Sequence, residues 1–150
     1  MPLFPKSLPA SAIVAATLLS LLLLAGCGED GPPRIALWGK VTWKGQPVPR
    51  GVVYFGPTVS KGNSGPQGYA LIRDGVFDTR RSPGKGCVVG PHEVQIKGFS
   101  GQNISDSRPY GDQLFGDYET SLDVSAEGGE IELIVPDTVQ AAPPGANQPE

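Results

Sequence analysis

The side chains able to do chemistry are few and scattered along the 150 residues. His92 is the only histidine, and so the one side chain whose ordinary titration falls near neutrality. Cys87 follows Gly84-Lys85-Gly86, where a neighbouring ammonium favours the reactive thiolate. Ser64 sits in Gly62-Asn63-Ser64-Gly65-Pro66, a flexible Gly/Ser loop. Asp112, Asp117 and Glu119, next to Tyr110 and Tyr118, offer oxygen ligands of the kind calcium takes. Trp38 and Tyr54, with Trp43 and Tyr69, are the rings from which a sugar-stacking platform would be built. Cys27 closes a leucine-rich run and is the remaining thiol.

Most of these lack the company that their chemistry requires. A serine hydrolase needs a base held by an orienting group beside the nucleophile, and His92 is the sole candidate base. His92 is in phase with Val94 and Ile96, which turns it toward the apolar side and away from the loop of Ser64. A zinc site needs further His or Cys ligands at suitable spacing, and none is present. The three acids do not follow the twelve-residue spacing of an EF-hand loop, so they are expected to be solvated loop charges. Cys87 then reads as a small apolar filler and His92 as a structural residue. No catalytic residue, no metal and no cofactor is expected. Alternation puts only Trp38 and Tyr54 opposite the expected core, leaving them as the candidates for ligand binding, with Trp43 buried.

Cys27 is different because its neighbours explain it. Residues 1–9 carry one basic side chain, Lys6, and residues 10–26 are apolar, ending in the small residues Ala25 and Gly26. That is the three-part layout of a secretory signal peptide. A permanent transmembrane helix needs about 17–25 apolar residues. The run reaches only the lower end of that range, and Glu29 and Asp30 follow it instead of a basic cluster. Ordinary cleaved secretion is the remaining alternative.

Leu24-Ala25-Gly26-Cys27 resembles the lipobox of bacterial lipoproteins. The resemblance implies cleavage before Cys27, whose thiol carries a diacylglyceryl thioether, and a bilayer contact made by acyl chains; one chain binds marginally and two hold firmly. Gly28 is not the aspartate that resembles an inner-membrane retention signal, so outer-membrane residence in a bacterial cell envelope is expected over the inner membrane. Without residues 1–26 the chain keeps 11 of its 12 Lys and Arg against 15 Asp and Glu, a formal charge of −4. Nucleic acid and anionic lipid both demand concentrated positive charge, so neither is expected as a partner. With Cys27 acylated, Cys87 has no partner for a disulfide and the fold must rest on its core.

The elements that must position these residues are strands. Residues 34–43 alternate, with Ile35, Leu37, Gly39, Val41 and Trp43 on one face. Residues 51–55, 69–72, 76–79, 92–97, 121–124 and 130–135 continue the pattern, and Asp74-Gly75 suits the tight turn of a hairpin. Val53, Phe55, Val94, Ile96, Leu122, Val124, Ile131, Leu133 and Val135 are the expected inward residues. Residues 27–33 read as a tether, 34–136 as one domain and 137–150 as a disordered tail, while the Gly-rich loop 99–116 has no assignable pattern. Seven short strands with turn signals between them describe an all-β, antiparallel β-sandwich.

The segment from Gly39 to Phe55 (GKVTWKGQPVPRGVVYF), Asp74-Gly75-Val76-Phe77 and Gly90-Pro91-His92-Glu93-Val94-Gln95-Ile96 together resemble carboxypeptidase regulatory-like domains, in the order that family uses. Gly90-Pro91 inverts the family's usual Pro-Gly. The resemblance implies a transthyretin-like sandwich that supports or recognises without reacting. The expected function is that of a lipid-anchored, non-catalytic structural or protein-interaction module, with an envelope protein or polysaccharide as partner. The alternative is a module that binds carbohydrate or peptide at the cell surface. Transthyretin-like hydrolases need several histidines and a C-terminal Tyr-Arg-Gly-Ser, neither of which occurs here.

Overall fold

A computed structural model describes residues 31–143. The expected signal helix, Leu24, Ala25, Gly26 and the lipidation residue Cys27, most of the tether, and residues 144–150 lie outside the described residues. The described part is all-β apart from one 3-10 turn, Val59–Lys61. Its strands are β1 (Leu37–Trp43), β2 (Gln46–Pro47), β3 (Arg50–Pro57), β4 (Gly68–Arg73), β5 (Val76–Asp78), β6 (Gly90–Phe99), β7 (Tyr118–Val124) and β8 (Gly129–Val135). Seven of these are the strands that alternation marks, and β2 is an addition. Among the described residues no helix is long and apolar enough to cross a membrane.

The strands form one sheet. Neighbours run β7-β6-β3-β4-β5-β1, with β2 beside the far end of β1 on the same edge as β5, and β8 on the other edge of β1. All pairs are antiparallel except β1 with β8, which run parallel over seven residue pairs from Leu37 opposite Gly129 to Trp43 opposite Val135. The sheet is antiparallel as expected, with this one parallel pair as the exception. The cause is topological: β7 and β8 are consecutive, but β8 crosses to the opposite edge of the sheet instead of folding back on β7.

That crossing also dictates curvature. Six inter-strand gaps separate β7 from β8, about 29 Å if the sheet were flat. The connection between them, residues 125–128, spans at most about 19 Å when fully extended. The two edges must approach one another, and the sheet curls into a half-barrel.

The concave face holds the core. Leu37, Val41, Val53, Phe55, Ile72, Phe77, Val94, Ile96, Val124, Leu133 and Val135 are all buried in one cluster, in the phase that alternation predicts. The hairpin between β4 and β5 is a two-residue turn in which Asp74 and Gly75 take φ of 50° and 76°, the positive values of a type I′ turn. Thr79 closes the start of β1: its hydroxyl accepts the Leu37 N–H at 2.9 Å, and its own N–H donates to the Leu37 carbonyl at 2.9 Å.

Two segments without a readable pattern turn out to be placed. From Phe99 the chain leaves the sheet as an irregular hairpin, with Ser100 N–H donating to the Asp112 carbonyl at 2.8 Å and Asp112 N–H to that of Gln102 at 3.0 Å. It puts Tyr110 against Phe99, ring centroids 5.6 Å apart, and then buries Phe115 in the core against Trp43 at 5.2 Å. Residues 137–143, the described part of the segment read as a disordered tail, lie against the sheet. Val139 packs on the core, Ala141 bridges to Phe115, and Ala142 N–H donates to the Leu114 carbonyl at 3.1 Å. Apolar burial of Phe115 creates that docking surface, which no local pattern announces.

Candidate functional site

The residues singled out for chemistry divide between two sides of the sheet. His92 is 1% exposed and lies on the core side of β6. Its Nδ1 is 2.8 Å from the Gly90 carbonyl oxygen and donates to it, and its Nε2 is buried without a hydrogen-bond partner. Cys87 is also fully buried; burial pushes its thiol up to about 11, so the nearby Lys85 does not yield a thiolate. Ser64 is exposed, with no hydrogen bond to His92. Asp112, Asp117 and Glu119 are kept apart by separate partners: Arg108 at 2.8 Å, Lys97 at 3.6 Å and the Gln95 amide at 3.3 Å.

The convex face presents the aromatic and charged side chains. Trp38 lies here, as its phase predicts, but its ring is covered by the Arg80 guanidinium at 4.0 Å from the centroid. Tyr54 lies here too, stacked obliquely on Tyr69 at 6.4 Å. Burial, and after it the neighbouring Tyr110 and Tyr69, hold the Tyr54 hydroxyl above its ordinary pKa. β5 and β4 run between Trp38 and Tyr54, so three inter-strand steps, about 14 Å, separate them. The sheet does not bring these two candidates into one platform.

Asp78 organises the Trp38 end. Its carboxylate accepts from Arg80 Nε and Nη2, both at 2.9 Å, and from the Arg80 backbone N–H, with Arg81 at 3.6 Å. The Arg80 side-chain hydrogen bond, reinforced by the backbone bond and both positive charges, holds its pKa below the usual range against an opposing desolvation. Because the folded pKa is the lower one, the stability this carboxylate supplies is present above the unfolded value of about 4 and disappears as the pH falls through the folded value. Asp78→Asn is thus expected to melt below wild type at pH 7 and to converge on it in acid, with weaker coupling of Arg80 to Trp38 fluorescence. Equal melting temperatures at pH 7 would show the carboxylate to be idle.

Between these two ends runs a trough that motif reading did not single out. One cleft, about 290 Å³, is lined by Arg50, Leu71, Arg73, Asp74 and Tyr110 among others. A second, about 160 Å³, continues from Leu71 and Arg73 to Asp78, Arg81 and Ser82. Arg50 and Arg73 stand directly opposite each other across β3 and β4. The signal in the sequence is their phase: Arg50 is in phase with Val52 and Tyr54, and Arg73 with Tyr69 and Leu71. Only the pairing register sets them side by side.

Compared with known proteins, the chain matches no family model, no curated protein and no solved structure.

Proposed function

We propose that this chain is a lipid-anchored protein of the bacterial cell envelope, held by acyl groups on Cys27, whose domain is a non-catalytic structural or protein-interaction module. In this reading residues 1–26 are removed, the outer membrane is the site of attachment, and the curled sheet is a transthyretin-like sandwich. The observation that carries the module reading is the division of the sheet. The thiol of Cys87 and the imidazole of His92 are shut in the core, away from the exposed Ser64. The convex face instead offers clefts, rings and charges to a partner.

The anchor is tested by metabolic labelling with a fatty-acid analogue. Wild type is expected to take the label, and Cys27→Ser to lose it and accumulate as unprocessed precursor, because serine offers no thiolate for acyl transfer. A labelled Cys27→Ser protein would overturn the anchor. The interaction face is tested on intact cells with a photocrosslinking residue at Leu71, in the trough, or at Val59, which is exposed in the 3-10 turn. A reproducible envelope partner captured from Leu71 and not from Val59 is expected, and capture from neither position would sink the module reading.

A further inference from the structure

Two like charges placed directly opposite on one face of an antiparallel pair repel and destabilise the sheet. Arg50 and Arg73 are such a pair. Every other arginine among the described residues has a side-chain partner: Arg80 and Arg81 the Asp78 carboxylate, Arg108 that of Asp112, and Arg34 the Gln67 and Gly86 carbonyls. Arg50 and Arg73 have no hydrogen-bonded or ion-pair partner among the described residues. Asp74 lines the same cleft but is within ion-pair distance of neither. The two arginines therefore line a cleft of about 290 Å³ in which neither is ion-paired and the one carboxylate, Asp74, leaves a net positive charge.

We infer that this cleft is a binding site for a dianionic oxyanion of the phosphate class, held between Arg50 and Arg73 with Tyr110 as its wall. The inference adds a ligand to the interaction-module reading and rests on it. A phosphate monoester carries a charge of about −1.5 to −2 near neutrality, enough to offset both arginines at once, where a single carboxylate leaves one unbalanced. Guanidinium forks match phosphate oxygens two at a time, and arginine is the residue suited to such contacts because its charge does not titrate. Leu71 on the cleft floor is half-buried and apolar, which limits hydration and strengthens the ionic contacts above it. Gly101 leaves room for Arg50: a β-carbon there would come within 3.2 Å of Arg50 Nε and 3.3 Å of its Cδ, so the bare backbone lets that side chain lie along the loop.

The test is calorimetric titration of the full chain in nonionic detergent with inorganic phosphate, glycerol 3-phosphate and acetate. Saturable one-to-one binding of phosphate is expected, weakened about tenfold or more by Arg50→Gln or Arg73→Gln. Lys61→Gln, on the exposed 3-10 turn, should bind as wild type does. Arg73→Lys, which keeps the charge but not the fork, should fall between wild type and Arg73→Gln. Each variant is checked for a melting temperature no lower than that of wild type, since both arginines are exposed and removing one relieves their repulsion. Glycerol 3-phosphate binding at least as tightly as phosphate would identify a phosphoester on a larger partner, and phosphate alone would identify the free ion. Acetate binding as tightly as phosphate, absence of saturable phosphate binding, or binding indifferent to both substitutions would overturn the inference. None of those results touches a partner captured by crosslinking at Leu71, so the two readings fail separately.

Discussion

Chains carrying Val94→Asp or Leu133→Asp are expected to lose the cooperative β-sheet melt altogether. Val94 is 0% and Leu133 6% exposed, and both belong to the single core cluster on the concave face. Removing either apolar side chain forfeits about 1.5–3 kcal/mol of burial. Placing an unpaired carboxylate there costs several kcal/mol more. Together these rival the whole stability of a small domain, about 5–15 kcal/mol. One residue out of phase the result reverses: Glu93 and Glu132 are exposed, and their alanine variants should stay within about 0.5 kcal/mol of wild type. Circular dichroism melts of the four proteins check this, and the opposite ranking would mean that the strands are out of register by one residue.

Gly39→Ala is expected to be nearly as damaging, although it adds one methyl group to a strand. Gly39 has φ of 153°, a backbone conformation that L side chains rarely adopt, and it faces β8 across the parallel ladder. A β-carbon there would lie 1.7 Å from the Ile131 carbonyl oxygen, so β8 must move away or β1 must twist. The seven-residue pairing of β1 with β8 would be disturbed at its third position. A loss of about 3 kcal/mol or more is expected, seen as a fall in melting temperature of about 10–20 °C. Gly45 is the control. It also has a positive φ, 71°, but no atom lies within 4 Å of where its β-carbon would be. Asparagine tolerates that conformation, so Gly45→Asn should cost under about 1 kcal/mol. A Gly39→Ala protein melting with wild type would show that β8 does not lie against β1 in this register.

Which way each side chain faces was legible in the amino-acid sequence, because a strand alternates with period two whatever it pairs with. Leu37, Val41, Val53, Phe55, Val94, Ile96, Leu133 and Val135 reach the core on that rule alone, and so does His92. The Asp74-Gly75 turn was legible for a similar local reason, since few residue pairs accept two positive φ angles in succession. The candidate lipid site at Cys27 is likewise a purely local pattern. What alternation does not encode is which strand lies beside which. The parallel edge of β1 with β8 depends on a contact between residues some ninety positions apart, and only the short link from β7 forces the sheet to curl and bring its edges together. The descent of Phe115 into the core, and the docking of residues 139–142 upon it, required a partner surface that exists only after folding. The same holds for the trough. Phase puts Arg50 and Arg73 on the convex face one by one, but their opposition across β3 and β4 arises from register, so the convergence of two unneutralised charges was decided by the tertiary structure.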